Sequence, residues 1–416
     1  MASKKEKLST DPYKGVRDFY PEDFAVQKYI FATWRTFAEK CGYVEYHASV
    51  LEPAELYKAK GAENEEIIRD QTYSFTDRGN REVTLRPEMT PTVARMVAAR
   101  RRELPFPLRW YSIPNIFRYE RPQRGRLREH WQLNVDLFGS SAVAADVEIV
   151  AMAYGLMHEF GATEKDFVIK VSSRAFINSL AQEFSSSEEQ KRQLLLLLDR
   201  RTKISAEEFQ KNLAALGIPP QKLSPNEEPA DVAAVLQPLR EMGFGNISYD
   251  SGVVRGFNYY TGIVFEVFDT HPNNNRSLFG GGRYDNLLDM FGEHVPAVGF
   301  GMGDVTICDF LAARSLLPSY QSPVNVYLAV TEAALAFEAM KLAGELRRAG
   351  ISVAVDTGER KLGEQIKAAN KQKIPFLIVV GQDESTSGQF TVKELSDSTE
   401  TSIARTAIPD FLKEHA

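Results

Sequence analysis

Five arginines lie in the segment from Phe117 to Arg128, between two stretches predicted to be extended, over residues 109–120 and 130–138. The guanidinium group is a permanent cation with a planar fork of donors, so an arginine cluster on a hairpin tip suits the oxygens of a polyphosphate. A solvated basic loop is the usual alternative for such a charge run. The cluster therefore indicates a phosphate site only if its neighbours support one.

The second extended stretch carries polar side chains at every other position, between Leu133, Val135 and Leu137. Successive side chains of a strand point to opposite faces, so the polar residues should share one face. That face would carry Gln132, Asn134 and Asp136. Polar groups arranged in this way beside a cation cluster favour a binding site over a solvated loop.

The elements upstream of this strand are predicted from apolar spacing and turn residues. A helix should begin near Pro21 and end at Gly42, followed by a strand over residues 43–51. Residues 71–85 read as a hairpin, because the sequence Asp77 to Asn80 supplies turn chemistry between two strand-like runs.

Downstream, the pattern changes twice. Residues 165–240 are rich in polar residues with helical spacing, which indicates a helical insertion. Strands resume over 253–268, and residues 280–283 are predicted to be a glycine-rich turn. Beyond a linker at 317–323, strands and helices alternate, as is typical of a small α/β domain.

Several segments resemble known motifs at this point. Residues 117–139 resemble motif 2 of class II aminoacyl-tRNA synthetases in its histidine-specific form. Residues 84–90 resemble the family's TLRPE segment, 254–260 its arginine and paired-tyrosine signature, and 279–285 its glycine-rich segment. Residues 346–353 and 360–367 look like the anticodon-binding domain of class II synthetases. The chain thus resembles histidyl-tRNA synthetases over nearly its whole length.

The resemblance implies a fold with two domains. An α+β catalytic domain, an antiparallel sheet flanked by helices, is expected over residues 1–320, with the helical insertion at about 165–240. A C-terminal α/β anticodon-binding domain is expected over 324–416. It also implies ATP as a substrate with Mg²⁺ as its counterion, and L-histidine, tRNA(His) and a second copy of the chain as partners.

Residue roles follow from the same resemblance. The α-amino group of histidine would be received by Glu88, Gln132 and Tyr259, and its imidazole would be read by Asp136 and Tyr260. A carboxylate at one ring nitrogen and a hydroxyl at the other would reject side chains that lack either nitrogen. In place of the family's more usual glutamate, Asp136 has a shorter reach.

The catalytic residues implied by the resemblance are Arg118, which would grip the ATP α-phosphate, and Arg255, which would approach it from the opposite side and also contact histidine. Fixed cations aimed at developing charge need no protein nucleophile, because the carboxylate of histidine attacks the phosphorus. The loop residues Glu120, Arg121 and Arg126 would complete the ATP site, with Glu120 as a guess for a magnesium ligand.

Plain structural interpretations stand beside these roles. Arg255 could be a salt-bridged strand residue, Tyr259 and Tyr260 could be core packing, and residues 280–282 could be an ordinary loop. The exposed face of an amphipathic helix accounts for Lys361, Lys367, Lys371 and Lys373 as well as tRNA phosphates do.

Two positions depart from the family pattern. Thr306 stands where motif 3 usually carries an arginine for the ATP γ-phosphate, so another cation, Arg121 or Arg126, would have to replace it. Ser49 stands where motif 1 usually has a proline. These departures bear on the γ-phosphate contact and on details of the dimer interface.

Composition excludes several classes of protein. The chain has 416 residues, 43% hydrophobic and 25% charged, with a net charge of −6, as expected of a globular protein. No apolar run reaches the ~20 residues of a membrane span, so a cytoplasmic protein without membrane contact is expected. Only two cysteines occur, Cys41 and Cys308, far apart, which argues against disulfides and structural zinc.

Two other functions remain open. One is a catalytically inactive synthetase paralogue, such as the regulatory subunit of ATP phosphoribosyltransferase, although that class usually lacks the anticodon-binding domain. The other is an RNA-binding protein, or a sensor domain, that uses the same folds without aminoacylation. An imidazole pocket would have no use in an RNA-only module.

Overall fold

The computed structural model describes residues 8–59, 71–123, 125–184, 187, 189–190, 193–194, 197, 204–219, 228–253, 259–272, 274, 276–357 and 360–415. The chain divides into two compact units, Met1–Pro318 and Ser319–Ala416. In the described ranges, no helix is both long and apolar enough to cross a membrane.

A nine-stranded sheet organises the first unit. The strands that build the site are β5 (Leu108–Ser112), β6 (Asn115–Phe117), β7 (Glu129–Phe138), β11 (Ser277–Arg283) and β12 (Ala297–Gly303). The sheet order is β1-β5-β7-β12-β11-β10-β8-β9, and β6 pairs with the beginning of β7. Most pairs are antiparallel, whereas β1 with β5 and β8 with β9 are parallel, so the sheet is mixed. The other strands are β1 (Val44–Glu45), β8 (Phe167–Ser173), β9 (Ile247–Tyr249) and β10 (Ile263–Asp269).

Helices pack on this sheet because their apolar faces are buried against its apolar side chains. The apolar face of α1 (Pro21–Lys40) buries Ile30, Trp34 and Ala38 against α4 (Val143–Glu159), which is apolar over most of its surface. The remaining helices of the sheet's core are α7 (Ala230–Glu241) and α8 (Asp304–Ala313). The expectation of a sheet flanked by helices is confirmed.

A small three-stranded sheet stands beside the main one, with the order β2-β4-β3. It consists of β2 (Leu51–Pro53), β3 (Tyr73–Thr76) and β4 (Glu82–Leu85), with α2 (Ala54–Lys58) and α3 (Thr90–Ala99) next to it. The hairpin expected over 71–85 is present as β3 and β4. The single strand expected over 43–51 was wrong, because β1 and β2 belong to different sheets.

The segment expected to be a helical insertion has a mixed character. Its first strand, β8, pairs with β10 inside the main sheet, and α7 packs into the main core. A separate small core joins α5 (Arg174–Phe184) and α6 (Ala206–Ala215) through Ile177, Phe209 and Leu213. The part with its own core is therefore shorter than the range 165–240.

The second unit is a five-stranded sheet with the order β14-β13-β15-β16-β17. Strands β13 (Val326–Val330), β14 (Val353–Val355) and β15 (Phe376–Val380) are parallel, and β16 (Gln389–Glu394) and β17 (Glu400–Ala404) continue antiparallel. Each face of this sheet has its own hydrophobic core. One core lies against α9 (Ala336–Arg348) and α12 (Ile408–His415), and the other lies against α10 (Leu362–Lys371). A short helix, α11 (Gln382–Ser387), precedes β16. The expectation of an α/β domain is confirmed.

Candidate active site

Strand β7 positions the polar residues of the site. It lies between β5 and β12, so its backbone is bonded on both sides. One face packs into the main core through Leu133, Val135 and Leu137. The opposite face opens into a cavity that is lined by residues including Gln132 and Asp136.

The cavity brings together six of the residues to which the family resemblance gives a role. They come from β7, from the loop between β4 and α3, from the end of β6 and from the residues before β10, and they are Glu88, Arg118, Gln132, Asp136, Tyr259 and Tyr260. Glu120, Arg121 and Arg126 do not line it. Arg255 lies outside the described residues.

The carboxylate of Glu88 stands at one wall and is nearly buried, with 6% of the residue exposed. The hydroxyl of Tyr259 donates to its Oε2 at 3.5 Å, and the hydroxyl of Tyr57 donates to its backbone carbonyl at 3.2 Å. Next to it, the Nε of Arg118 donates to the carbonyl of Pro87 at 2.8 Å. This hydrogen bond thus connects the loop that carries Glu88 with the end of β6, where Arg118 lies.

In the wall of the cavity, Asp136 is buried and accepts a hydrogen bond from the hydroxyl of Tyr284. Burial raises the pKa of Asp136 to about 7, and the hydrogen bond from Tyr284 opposes that rise. The pKa of Tyr284 is raised well above its ordinary value by burial and by the neighbouring carboxylate. The carboxyl group can therefore exist in both protonation states near neutral pH.

Glycines of β12 leave room for these side chains. A Cβ added to Gly299 would lie 2.4 Å from Oδ1 of Asp136, and one added to Gly301 would lie 2.4 Å from Nε2 of Gln132. Gly299 and Gly301 pair across the sheet with Gly282 and Gly280 of β11. Glycine inside a strand marks a close approach of this kind. The glycine-rich turn expected at 280–283 was wrong, because these residues form a central strand.

Arg118 brings a positive charge to the cavity, and a histidine lies close to it. His130 lies on β7 two residues before Gln132, and its pKa is lowered to about 3 by burial and by the positive charges of Arg118 and Arg17. The imidazole of His130 is therefore neutral at physiological pH. Among the described residues that line the cavity, Arg118 is the one cation, and its guanidinium group suits a negatively charged ligand.

The loop after Arg118 extends away from the cavity. Arg126 pairs with Glu120 at 3.3 Å, and its side chain is 60% exposed. At the tip, Gly125 has a positive φ of 75°, and a Cβ there would lie 3.6 Å from Cγ2 of Thr306. The Thr306 hydroxyl donates to the carbonyl of Leu278 at 2.7 Å. The loop tip thus covers the position where an arginine was expected.

Tyr284 was missed as a site residue, although a signal for it existed. It directly follows β11, in which Gly280 and Gly282 face the same side as the cavity glycines of β12. A side-chain period of two predicts that Tyr284 continues that face. This pattern could predict Tyr284 as a site residue only once the segment containing these glycines was known to be a strand.

Among the described residues, no group of three or more His, Cys, Asp or Glu side chains is arranged to hold a metal ion. The carboxylate guessed for magnesium, Glu120, is engaged by Arg126.

The fold has solved counterparts. The chain is similar to a crystal structure of histidyl-tRNA synthetase from Nostoc sp., with a TM-score of 0.77 at 23% identity, over 98% of this chain and all of that one. At such low identity, the likeness shows the fold alone. The mixed sheet with its helices and the separate α/β unit are thus the fold of a class II aminoacyl-tRNA synthetase.

Sequence relatives identify the family. The profile described as histidyl-tRNA synthetase matches residues 15–224 and 205–305, and the anticodon binding domain profile matches 325–415. A protein of Leptospira biflexa named histidine–tRNA ligase is 40% identical over 94% of this chain and 95% of its own length. A protein of the same name from Thermoplasma volcanium is 34% identical over 98% and 99%. The chain belongs to the histidyl-tRNA synthetase family.

Family membership confirms the resemblance found in the sequence. It also disfavours the regulatory-subunit alternative, because relatives named as ligases align over nearly the full length. The anticodon-binding domain that such regulatory subunits usually lack is matched here.

Proposed function

We propose that the chain is a histidine–tRNA ligase, which activates histidine with ATP to histidyl-adenylate and pyrophosphate and then transfers histidine to the 3′ end of tRNA(His). The observation that carries this proposal is a single cavity lined by both Arg118 and Asp136. Arg118 is a fixed cation that can bind a phosphate, and Asp136 is a buried acceptor that can bind a polar ring. One small substrate could contact both side chains.

The amino-acid end of the cavity is assigned to histidine. Glu88, held by Tyr259, and the amide of Gln132 present acceptors for the α-ammonium group. Asp136 and Tyr260 are assigned to the ring nitrogens of the imidazole. An amino acid whose side chain lacks these nitrogens would leave the polar groups of Asp136 and Tyr260 buried without a hydrogen-bond partner. This energetic cost would give specificity for histidine.

The phosphate end is assigned to ATP. Arg118 holds the α-phosphate while the carboxylate of histidine attacks the phosphorus, a new P–O bond forms, and the bond to the leaving pyrophosphate breaks. Cations placed where negative charge accumulates lower the barrier without a change in their own covalent state. By family resemblance, Arg255 supplies a second cation, and it lies outside the described residues.

The exposed loop is assigned to the outer phosphates. Since Thr306 is held by backbone carbonyls and covered by Gly125, the γ-phosphate contact falls to Arg126 or Arg121. Glu120, as the partner of Arg126, would release it when the nucleotide arrives. Magnesium bound with ATP would neutralise phosphate charge.

The second unit is assigned to tRNA. Lys361, Lys367 and Lys371 are exposed at the start and along one side of α10, and cations on one surface attract a phosphate backbone. Domain limits of 1–320 and 324–416, pairing of two copies into a symmetric dimer, and a cytoplasmic location are further parts of this proposal.

Amino-acid-dependent pyrophosphate exchange tests the function directly. Pure folded protein with ATP, Mg²⁺ and each of the twenty amino acids in turn is expected to exchange labelled pyrophosphate into ATP with histidine alone. A second measurement, histidine attachment to tRNA(His), tests the transfer step. Absence of histidine-dependent exchange would refute the proposal.

A further inference from the structure

Tyr284 occupies a position that fixes its ring. It follows β11 directly, is 2% exposed, and donates its backbone N–H to the carbonyl of Ala297 at 2.8 Å. Its ring packs edge-on against Phe138 and Tyr259, with centroid distances of 6.2 and 5.8 Å. A ring held on several sides leaves its hydroxyl little freedom, and that hydroxyl donates to Oδ1 of Asp136.

The surroundings of Asp136 make this hydrogen bond important. The carboxyl group is buried, and in the described part of the chain Tyr284 is its one hydrogen-bond donor from a side chain. A buried carboxylate without a donor is costly, since water cannot solvate it. Besides Tyr284, the other ionisable residues that line the cavity are Glu88, Arg118, Tyr259 and Tyr260. Burial raises the pKa values of Tyr43 and Tyr46, and the charge of Asp136 adds to that rise.

Because the side chain of Asp136 is short, the hydroxyl of Tyr284 can also determine how the carboxylate is oriented. The residue opposite Asp136 on β12 is Gly299, which lets the carboxylate lie against the strand. There Tyr284 holds one carboxylate oxygen, and the other oxygen can turn to the cavity. Both residues line that cavity, so the pair can act as one acceptor for the ring of a bound histidine.

We infer that Tyr284 is a specificity-determining positioning residue, whose hydroxyl holds Asp136 ionised and oriented for the imidazole of histidine. The inference rests on the proposed function for the identity of the substrate. It assigns the orientation of the acceptor to Tyr284 and leaves Tyr260 for the other side of the ring.

The sign of the pH effect follows from the hydrogen bond. Burial raises the pKa of Asp136 to about 7, and the donation from Tyr284 lowers it. Removal of that hydroxyl should raise the pKa further, so that less Asp136 is ionised at pH 7. Histidine affinity should then be lost at neutral pH and recovered as pH rises. A hydrogen bond to a charged group is strong enough to move the profile by about one pH unit.

The test compares Tyr284→Phe with a matched control, Tyr46→Phe. Tyr46 is also a buried tyrosine whose pKa is raised by the charge of Asp136, but it makes no hydrogen bond to Asp136 and does not line the cavity. Pyrophosphate exchange is measured from pH 5.5 to 9 with varied histidine and with varied ATP. The same substrate in every variant cancels the titration of histidine itself.

For Tyr284→Phe, the expected result is a rise of about tenfold in the KM for histidine at pH 7, with the acid limb of kcat/KM moved up by about one pH unit. The KM for ATP should stay within about twofold, and Tyr46→Phe should match the wild type in both profiles. A purely structural role would change both KM values without moving the acid limb. Identical profiles for the two variants would overturn the inference.

A second pair of variants, which carries no charge at position 136, tests whether Tyr284 acts through Asp136. Asp136→Asn removes the charge, so Asp136→Asn and the double variant Asp136→Asn with Tyr284→Phe can be compared. If Tyr284 acts through Asp136, the double variant should have the same KM for histidine as Asp136→Asn within about twofold. A further tenfold rise would overturn the inference. Loss of histidine-dependent exchange in the wild type would instead refute the proposed function.

Discussion

The two ends of the active-site cavity are built in opposite ways. At the end proposed for histidine, Asp136 and Tyr284 are buried, joined by a hydrogen bond and enclosed by strands β7, β11 and β12. Beyond the end proposed for the nucleotide, the cations after Arg118 stand on a loop outside the cavity lining, where the Arg126 side chain is 60% exposed and its ion pair with Glu120 measures 3.3 Å.

The difference corresponds to what each end must recognise. An imidazole is distinguished from other rings only by two nitrogens, which requires acceptors and donors at fixed positions. A triphosphate is recognised by its charge, which acts over a longer distance and tolerates a mobile partner. In the proposed function, the closed end would therefore provide specificity, and the open end would provide charge.

The largest expected effect falls on the cation between the two ends. Arg118→Ala should lower the rate of pyrophosphate exchange by about a thousandfold, because a fixed donor to developing charge contributes about 3–4 kcal/mol to the transition state. Equilibrium binding of histidine should change by less than about threefold, since the role proposed for Arg118 is to hold the phosphate. Exchange rates at saturating substrates, with histidine binding measured by calorimetry, make the comparison. An equal loss in histidine affinity would assign Arg118 to the closed end.

The polar face of β7 could be predicted from the sequence because the information is local. Alternation of Leu133, Val135 and Leu137 with polar residues sets the face of each side chain within one strand. Partners across strands cannot be read in this way. The contact between Asp136 and Tyr284 depends on the register of β7 with β12 and of β12 with β11, and register is set by the packing of the whole sheet.

Glycines and short strands misled the sequence interpretation for a related reason. Glycine is common in turns, and nothing within residues 280–283 shows that they lie in the middle of a sheet. Only the neighbouring backbone explains them, because a Cβ on Gly281 would lie 2.0 Å from the carbonyl oxygen of Gly299. Likewise, β1 and β2 are separated into two sheets by pairing with distant strands, β5 and β4. The overall fold was nevertheless predictable, through the family resemblance of its motifs.

A moderate effect is expected where the closed end has no spare volume. In Gly299→Ala, the new Cβ would lie 2.4 Å from both Oδ1 of Asp136 and the carbonyl oxygen of Val135, so the backbone or the carboxylate must move. The KM for histidine should rise about tenfold, and unfolding free energy should fall by about 1–3 kcal/mol, as is usual for overpacking. Exchange kinetics and denaturant unfolding measure the two effects.

Gly303→Ala is the matched control for this change. Gly303 is the last residue of the same strand, and a Cβ there would meet its nearest atom, Oγ1 of Thr306, at 3.8 Å. The histidine KM of this variant should equal that of the wild type. If Gly299→Ala were equally silent, the closed end would have more freedom than its contacts indicate.

The smallest effect is expected at the open end. Arg126→Ala removes one exposed cation, so the KM for ATP should rise by about three- to tenfold while the KM for histidine is unchanged. Stability should stay within about 0.5 kcal/mol, because exposed ion pairs contribute about 0–1 kcal/mol. Arg102→Ala, which removes the same charge from an exposed position outside the loop, separates a local contact from a general loss of charge. If both variants raised the ATP KM alike, Arg126 would act only through the overall field, and the γ-phosphate contact would belong to Arg121 instead.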